Sequence, residues 1–246
     1  MRLLDTTTLE LKEFWGSQIP SYAILSHTWS RNSNDEVTLH DLRTGRARKK
    51  KAGFAKLRSF CELAKSHQLY YAWMDTCCID KTSSAEESEA INSMYRWYER
   101  STVCYAYLED IQGDYDSMEA NPEFQQSRWF TRGWTLQELI AAPNIYFFSA
   151  NWGILGSKRT IESACGEESS FGRNFPYLVA PDLSMAISKI TGINVGVLRY
   201  QLSPNDCSAA MRMSWAAFRQ TTRPEDIAYC LMGIFNINMP ALYGEG

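Results

Sequence analysis

Trp129-Phe130-Thr131-Arg132-Gly133-Trp134-Thr135-Leu136-Gln137-Glu138-Leu139-Ile140-Ala141-Ala142-Pro143, with the apolar run Ile145-Tyr146-Phe147-Phe148-Ser149 directly behind it, is the stretch on which the fold turns. Pro143 disfavours helical geometry at Ala142 and closes a short helix near there, and residues 145–149 have the length and composition of a buried strand. Within the helix, Trp134 and Glu138 stand four apart and share one face. An acid beside an indole plate is a place to hold a cation or a flat ring. The same residues also satisfy a plainer reading. Thr135-Leu136-Gln137-Glu138 fits the capping box S/T-x-x-E/Q, in which the glutamate returns a hydrogen bond to the cap's own N–H, and the local sequence alone favours that cap.

Working outward, three more apolar runs precede this helix and strand. Residues 22–26 predict a strand ending in Ser26-His27-Thr28-Trp29, and residues 70–75 a second one ending in the polar loop Asp75-Thr76-Cys77-Cys78-Ile79-Asp80-Lys81. Residues 102–108 predict a third, ending in Glu109-Asp110 and an acidic loop over 111–127. Between them lie helical patterns: 54–66, with Phe54, Leu57, Cys61 and Ala64 on one face, and 84–100, with Ile91, Met94, Tyr95 and Tyr98 as its buried stripe. Ser83 and Ser84, with Glu86 and Glu87 three residues on, supply overlapping capping boxes for the second helix. Residues 9–14 alternate weakly, as an outer strand would, and residues 30–41 read as a loop. The basic tract Arg43, Arg46, Arg48, Lys49, Lys50 and Lys51 reads as a solvated approach to the first helix, because no aromatic residues interleave with its cations.

Strand, helix, strand, helix, strand, helix, strand is the order of right-handed crossovers, so the fold class expected is α/β with a parallel sheet flanked by helices. In such sheets ligands bind beyond the carboxyl ends of the strands, which here place Ser26-His27-Thr28-Trp29, Asp75-Thr76-Cys77-Cys78 and Glu109-Asp110 on one rim. Beyond Trp152 the pattern changes to helices joined by Gly, Pro and Asn turns. Residues 205–218 predict a helix burying Met211, Trp215 and Phe218, and residues 224–233 another, capped by Thr222 with Glu225 in third place. The expected organisation is therefore a core over 1–152 and a helical extension over 153–246 packed on it. Residues 166–182 carry the least pattern, and there are no internal repeats.

Composition narrows the function classes. Hydrophobic residues at 45%, charged residues at 22% and a net charge of -3 describe a soluble globular chain without general nucleic-acid affinity. Thirteen tyrosines, eleven phenylalanines and eight tryptophans imply an aromatic core or aromatic-lined pockets. Seven scattered cysteines, including Cys165, with no secretory leader, are expected to be reduced thiols of a cytoplasmic protein. The most apolar stretch, 139–155, is interrupted by Pro143, Asn144 and Asn151, so no membrane span is expected.

Three chemistries compete. No Walker, G-x-G-x-x-G or G-x-S-x-G loop is present, which removes the usual routes to nucleotide hydrolysis, dinucleotide redox and esterase chemistry. A metal would have to use Cys77, Cys78, His67 and Cys61 without any C-x-x-C, so none is expected. A thiol mechanism would pair Cys77 or Cys78 with His27 as base, on no spacing signal, and buried structural thiols outweigh it. A carboxylate mechanism finds its acid in Glu138 beside Trp134.

Leu25-Ser26-His27-Thr28-Trp29, Trp73-Met74-Asp75-Thr76-Cys77-Cys78-Ile79-Asp80-Lys81 and Arg132-Gly133-Trp134-Thr135-Leu136-Gln137-Glu138-Leu139-Ile140-Ala141-Ala142-Pro143, in that order, resemble the fungal heterokaryon incompatibility (HET) domain. The segment Thr221-Thr222-Arg223-Pro224-Glu225-Asp226-Ile227-Ala228-Tyr229-Cys230-Leu231-Met232-Gly233-Ile234-Phe235, with Met239-Pro240 and Tyr243-Gly244-Glu245-Gly246, looks like the end of such regions, so the resemblance spans nearly the whole chain. It implies a cell-death effector module that self-associates on activation, commonly the N-terminal part of a protein with a nucleotide-binding oligomerisation domain and repeats.

HET domains are in turn remotely similar to TIR domains, flavodoxin-like modules of which many cleave NAD between ribose and nicotinamide. Their catalytic glutamate lies in a W-x-x-x-E helix after the third strand, and Trp134-Thr135-Leu136-Gln137-Glu138 matches both the motif and its place. The resemblance makes Glu138 the expected catalyst and NAD the expected substrate, with no permanently bound cofactor. It implies a pocket lined by Ser26, His27 and Trp29, supported by Asp75, with Trp134 packing a ring and Arg132 meeting a phosphate. Each has a structural alternative: Asp75 as a turn cap, Trp29 as core, His27 serving a buried backbone group, Arg132 paired with a surface acid. Departures from the TIR pattern are the basic insertion after the first strand and the extension after residue 152. The competing function is a non-catalytic homotypic signalling domain with a structural W-x-x-x-E helix.

Overall fold

Four apolar runs form the parallel centre of the sheet: β3 (Ala23–His27), β4 (Tyr71–Trp73), β5 (Val103–Leu108) and β6 (Ile145–Ser149). Every residue of β3, β5 and β6 is buried, as strands covered on both faces must be. A computed structural model describes residues 1–113, 121–158 and 178–244. Residues 114–120 of the acidic loop, Cys165, residues 166–177 of the stretch with least pattern, and Glu245 and Gly246 lie outside the described residues. The spatial order of the central strands is β4-β3-β5-β6, held by registers such as Ala23↔Ala72, Ile24↔Cys104 and Cys104↔Ile145. Second, first, third, fourth is the flavodoxin-like winding expected of a TIR-like α/β fold.

The edges are antiparallel, which makes the whole sheet mixed. β1 (Arg2–Asp5) pairs with β4, and β2 (Leu11–Glu13), the outer strand expected at 9–14, pairs with β1. β1 has only four residues, too few to show a period. At the other edge β7 (Ile154–Lys158) pairs with β6, so the first element beyond Trp152 is a strand and not the helix expected there. The boundary proposed at residue 152 thus falls in the β6–β7 hairpin.

Around the sheet, α2 (Lys51–Ser66) buries Leu57, Phe60, Cys61 and Ala64, with Phe54 half-buried, and α4 (Ser84–Glu99) buries Ile91, Met94 and Tyr98. Ser83 caps α4 by accepting from Glu86 N, but the Glu86 carboxylate turns to Arg2 and to Asp80 N, both at 2.7 Å, so the box is only half formed. Two stretches read as loops contain helical turns. α1 (Leu39–Arg43) is closed by a complete capping box from Thr38 and Asp41, and α3 (Asp75–Cys78) occupies the polar loop after β4. Within the basic tract Arg43, Arg46, Arg48 and Lys49 are exposed, with Arg43 3.6 Å from Asp80 and Lys50 4.0 Å from Asp41.

Short helices α5 (Pro122–Gln125) and α6 (Arg128–Thr131) lead into α7 (Trp134–Ala141). Much of the aromatic content is core: Phe130 meets both Trp129 and Phe124 edge to face, and Trp129 and Phe124 each meet Phe147 of β6 the same way. Further helices span Ser184–Thr191, Val195–Leu198, Ala209–Ser214, Asp226–Tyr229 and Met232–Phe235. The helix expected over 205–218 is only Ala209–Ser214. Trp215 is buried, whereas Met211, inside the helix, is 48% exposed; Phe218 is 90% exposed because the helix ends before it. Nor does Thr222 cap a helix over 224–233; its hydroxyl accepts from Arg132, and two short helices replace the single one.

Candidate active site

The helix carrying Glu138 is pinned at both ends by segments distant in sequence. At its start, Gly133 N donates to Gln220 O at 2.8 Å and Gln220 N to Thr131 O at 2.7 Å. A Cβ on Gly133 would sit 2.5 Å from Thr221 Cγ2, so only glycine permits this approach. Arg219 donates to Arg132 O and Thr135 Oγ1 at 2.8 and 2.9 Å. At the other end, the fully buried Lys158 donates to Leu139 O and Ala142 O, both at 2.7 Å, and Tyr200 donates to Ile140 O, which satisfies carbonyls that a helix end leaves free.

The capping box at Thr135 does not form. α7 begins at Trp134, which makes Thr135 its second residue, and the threonine hydroxyl turns to the carbonyls of Trp129 and Arg132. Glu138 is therefore mid-helix, with no N–H of its own cap in reach. Its carboxyl meets Ser26 at the end of β3 instead: Ser26 Oγ donates to Glu138 Oε2 and accepts from Trp129 Nε1 at 2.9 Å. An indole N–H can only donate, so Trp129 turns the serine's single proton toward the carboxylate. Burial pushes Glu138 up to about 8; the Ser26 hydrogen bond opposes this, the charge of Asp75 adds to it, and Tyr98 and Arg132 pull it back. The Tyr98 hydroxyl itself donates to Leu25 O at 2.9 Å.

Glu138 faces a cavity of about 210 Å³ at the carboxyl ends of β3 and β4. Of the seven residues singled out from the sequence, His27, Trp29, Asp75, Arg132, Trp134 and Glu138 line it. Ser26 does not. It has no exposed surface and reaches the cavity only through Glu138, so it is a positioning residue where a pocket wall was expected. Asp75 accepts from Trp29 Nε1 at 2.8 Å and from Lys81 Nζ at 3.3 Å. Burial pushes the Asp75 carboxyl up, but Lys81, His27 and the Trp29 hydrogen bond outweigh it and hold it below its ordinary value.

His27 lies 3.9 Å from both Glu36 and Asp75. Burial, aided by Lys56, pushes it down to about 4, so it is neutral at pH 7. Arg132 donates to Thr222 at 3.0 Å and pairs with no acid among the described residues. Asp75 sits at the start of α3, yet its carboxylate is spent on Trp29 and Lys81.

The remaining strand-end residues go elsewhere. Asp110 accepts from Ser127 Oγ and Arg128 N and so fixes α6, away from the cavity. Cys77 is fully buried, outside the cavity, and burial pushes its thiol well up, the opposite of a poised thiolate. The His67 imidazole meets the Tyr105 hydroxyl. Sequence reasoning missed Lys81, Tyr98, Arg223 and Tyr243, which also line the cavity, and the clamps Arg219 and Lys158. Lys81 lies inside one of the motifs quoted for the HET resemblance, and that was its one available signal.

Residues 22–125 match the family model described as "Heterokaryon incompatibility protein (HET)", a span that holds β3, α3 and β5 and stops before α7. Over 240 residues, 96% of its length, the chain is 41% identical to "Vegetative incompatibility protein HET-E-1" of Podospora anserina. It spans 16% of that protein. No solved structure matches the chain significantly. The motifs and both comparisons agree: the chain belongs to the heterokaryon incompatibility (HET) family.

Proposed function

We propose that the chain is the cell-death effector domain of an incompatibility response and that it hydrolyses NAD to nicotinamide and ADP-ribose, with Glu138 as the catalytic carboxylate. The observation that carries this reading is the placement of Glu138: buried, oriented by Ser26, and aimed into a cavity at the strand ends of a TIR-like sheet. In the reaction the bond between ribose C1′ and the pyridinium nitrogen breaks and its electron pair leaves with the nicotinamide, which becomes neutral. Glu138 stabilises the oxocarbenium-like ribosyl centre, water adds to C1′, and the water's proton passes to the carboxylate.

Burial keeps Glu138 largely protonated at pH 7. A bound pyridinium within about 4–6 Å favours the charged form of a carboxyl, so the substrate itself ionises its catalyst. At about 210 Å³ the cavity is smaller than the roughly 300–1,000 Å³ of pockets that enclose drug-sized ligands, so it takes the nicotinamide and ribose end. The pyrophosphate then lies at the mouth, where Arg132 offers a guanidinium. No permanently bound cofactor enters this scheme. Self-association on activation and a downstream nucleotide-binding oligomerisation domain belong to the same proposal.

A second reading, a non-catalytic homotypic signalling domain, draws on the apolar side chains left exposed near the C-terminus, Phe218 at 90% and Met213 at 54%. Nicotinamide release from NAD by purified or artificially clustered protein separates the two. Release that is lost in Glu138→Gln supports the enzyme. NAD left intact by both proteins while cell killing persists supports the signalling domain.

A further inference from the structure

One cation already occupies the face of the cavity best suited to a flat ring. The Lys81 ammonium stands 3.5 Å from the centroid of the Trp29 indole and 3.3 Å from Asp75 Oδ2. The same Asp75 oxygen accepts from Trp29 Nε1 at 2.8 Å, which locks the indole plate beside the carboxylate. All three residues line the cavity that contains Glu138. Trp29 is 41% exposed and presents that face to a ligand as soon as the lysine leaves.

A ring can stack on Trp29 only by displacing Lys81, which is a point charge on a flexible four-carbon stem and can swing into water. A neutral ring would break the ion pair and leave the Asp75 charge with its Trp29 hydrogen bond but without its lysine counter-ion. A cationic ring restores both the cation–π contact and the charge balance. We infer that Trp29 and Asp75 form a subsite for a flat cationic ring, a pyridinium, and that Lys81 is a resident competitor that excludes neutral rings from it. The inference rests on the reading that the cavity binds NAD, and it adds a consequence. Cleavage turns the pyridinium into neutral nicotinamide, so the return of Lys81 to Trp29 expels the product, and a reduced dinucleotide, whose ring is neutral, is discriminated against.

The test uses two rings of nearly the same shape, N-methylnicotinamide chloride and neutral nicotinamide, titrated into the full chain and followed by calorimetry and tryptophan fluorescence. Wild type should bind the cation at least about tenfold more tightly than the neutral ring, the scale of a partly desolvated cation–π contact. Lys81→Met should tighten both rings by a similar factor and keep the preference. Asp75→Asn should abolish the preference. Equal affinities in wild type, or a Lys81→Met protein whose affinities do not move, would overturn the inference. Neither ring reacts, so these titrations are independent of Glu138 chemistry. A protein that shows the expected pattern but leaves NAD intact keeps the subsite and loses the hydrolase.

Discussion

Replacing Glu138 by glutamine removes a titration that the fold makes costly. Burial carries this carboxyl from its ordinary 4.5 to about 8. The folded chain therefore keeps its proton over a window in which the unfolded chain has lost it. The contribution to stability is fully present below about pH 4.5 and is lost as the pH rises toward about 8, because in that window the native state binds more protons. At about 1.36 kcal/mol per pH unit, the loss from pH 5 to pH 8 is about 3–4 kcal/mol. Glu138 is 7% exposed, so solvent screening takes little from this figure.

Glutamine keeps an oxygen to accept from Ser26 but does not titrate. The stability of Glu138→Gln minus that of wild type should thus grow by about 3–4 kcal/mol between pH 5 and pH 8. Urea unfolding followed by tryptophan fluorescence at pH 5, 6, 7 and 8 measures it, and taking the difference cancels groups common to both proteins. Two curves that run parallel across that range would show that Glu138 titrates as an ordinary carboxyl and would refute the electrostatic account of the site.

Other perturbations reach the same site from different sides. Ser26→Ala leaves Trp129 Nε1 without its acceptor and Glu138 without its donor, so it should destabilise by about 1–3 kcal/mol and move the pH profile of nicotinamide release to higher pH. Cys77→Ala should leave release unchanged, since the thiol is buried away from the cavity; loss of activity in this variant alone would favour the thiol mechanism. Gly133→Ala drives a Cβ to 2.5 Å from Thr221 Cγ2 and should cost about 1–3 kcal/mol in thermal unfolding, with release reduced because the start of α7 must shift.

The residues legible in advance were those whose role is set by local pattern. Strands β3, β5 and β6 are buried on both faces and so read as uninterrupted apolar runs, and their alternation with amphipathic helices gave the parallel centre of the sheet. Trp134 and Glu138 were visible as one helical face, and the strand ends as one rim. Pairings across long stretches of chain were not visible. Ser26 meets Trp129 across 103 residues, and Arg219 meets Arg132 across 87, with no spacing to announce either.

β7 hid for a related reason. Gly156 in its middle and Lys158 at its end argue against a strand by propensity, yet Gly156 admits Leu183 against the backbone and Lys158 spends its charge on α7. The capping box at Thr135 failed by two residues of register, because the N-cap position falls on Gly133. A local motif fixes its spacing, while the packing of Gly133 against Thr221 decides where the helix begins.

The central claim is that Glu138 cleaves the bond between ribose and nicotinamide. Its most direct test is nicotinamide release from NAD by artificially clustered protein, wild type beside Glu138→Gln, with urea unfolding showing that both are folded. The account predicts release by wild type and loss of at least about 100-fold in the variant, the lower range for removal of an electrostatic stabiliser of the transition state. Equal release by the two proteins, or none from folded and clustered wild type, would contradict it.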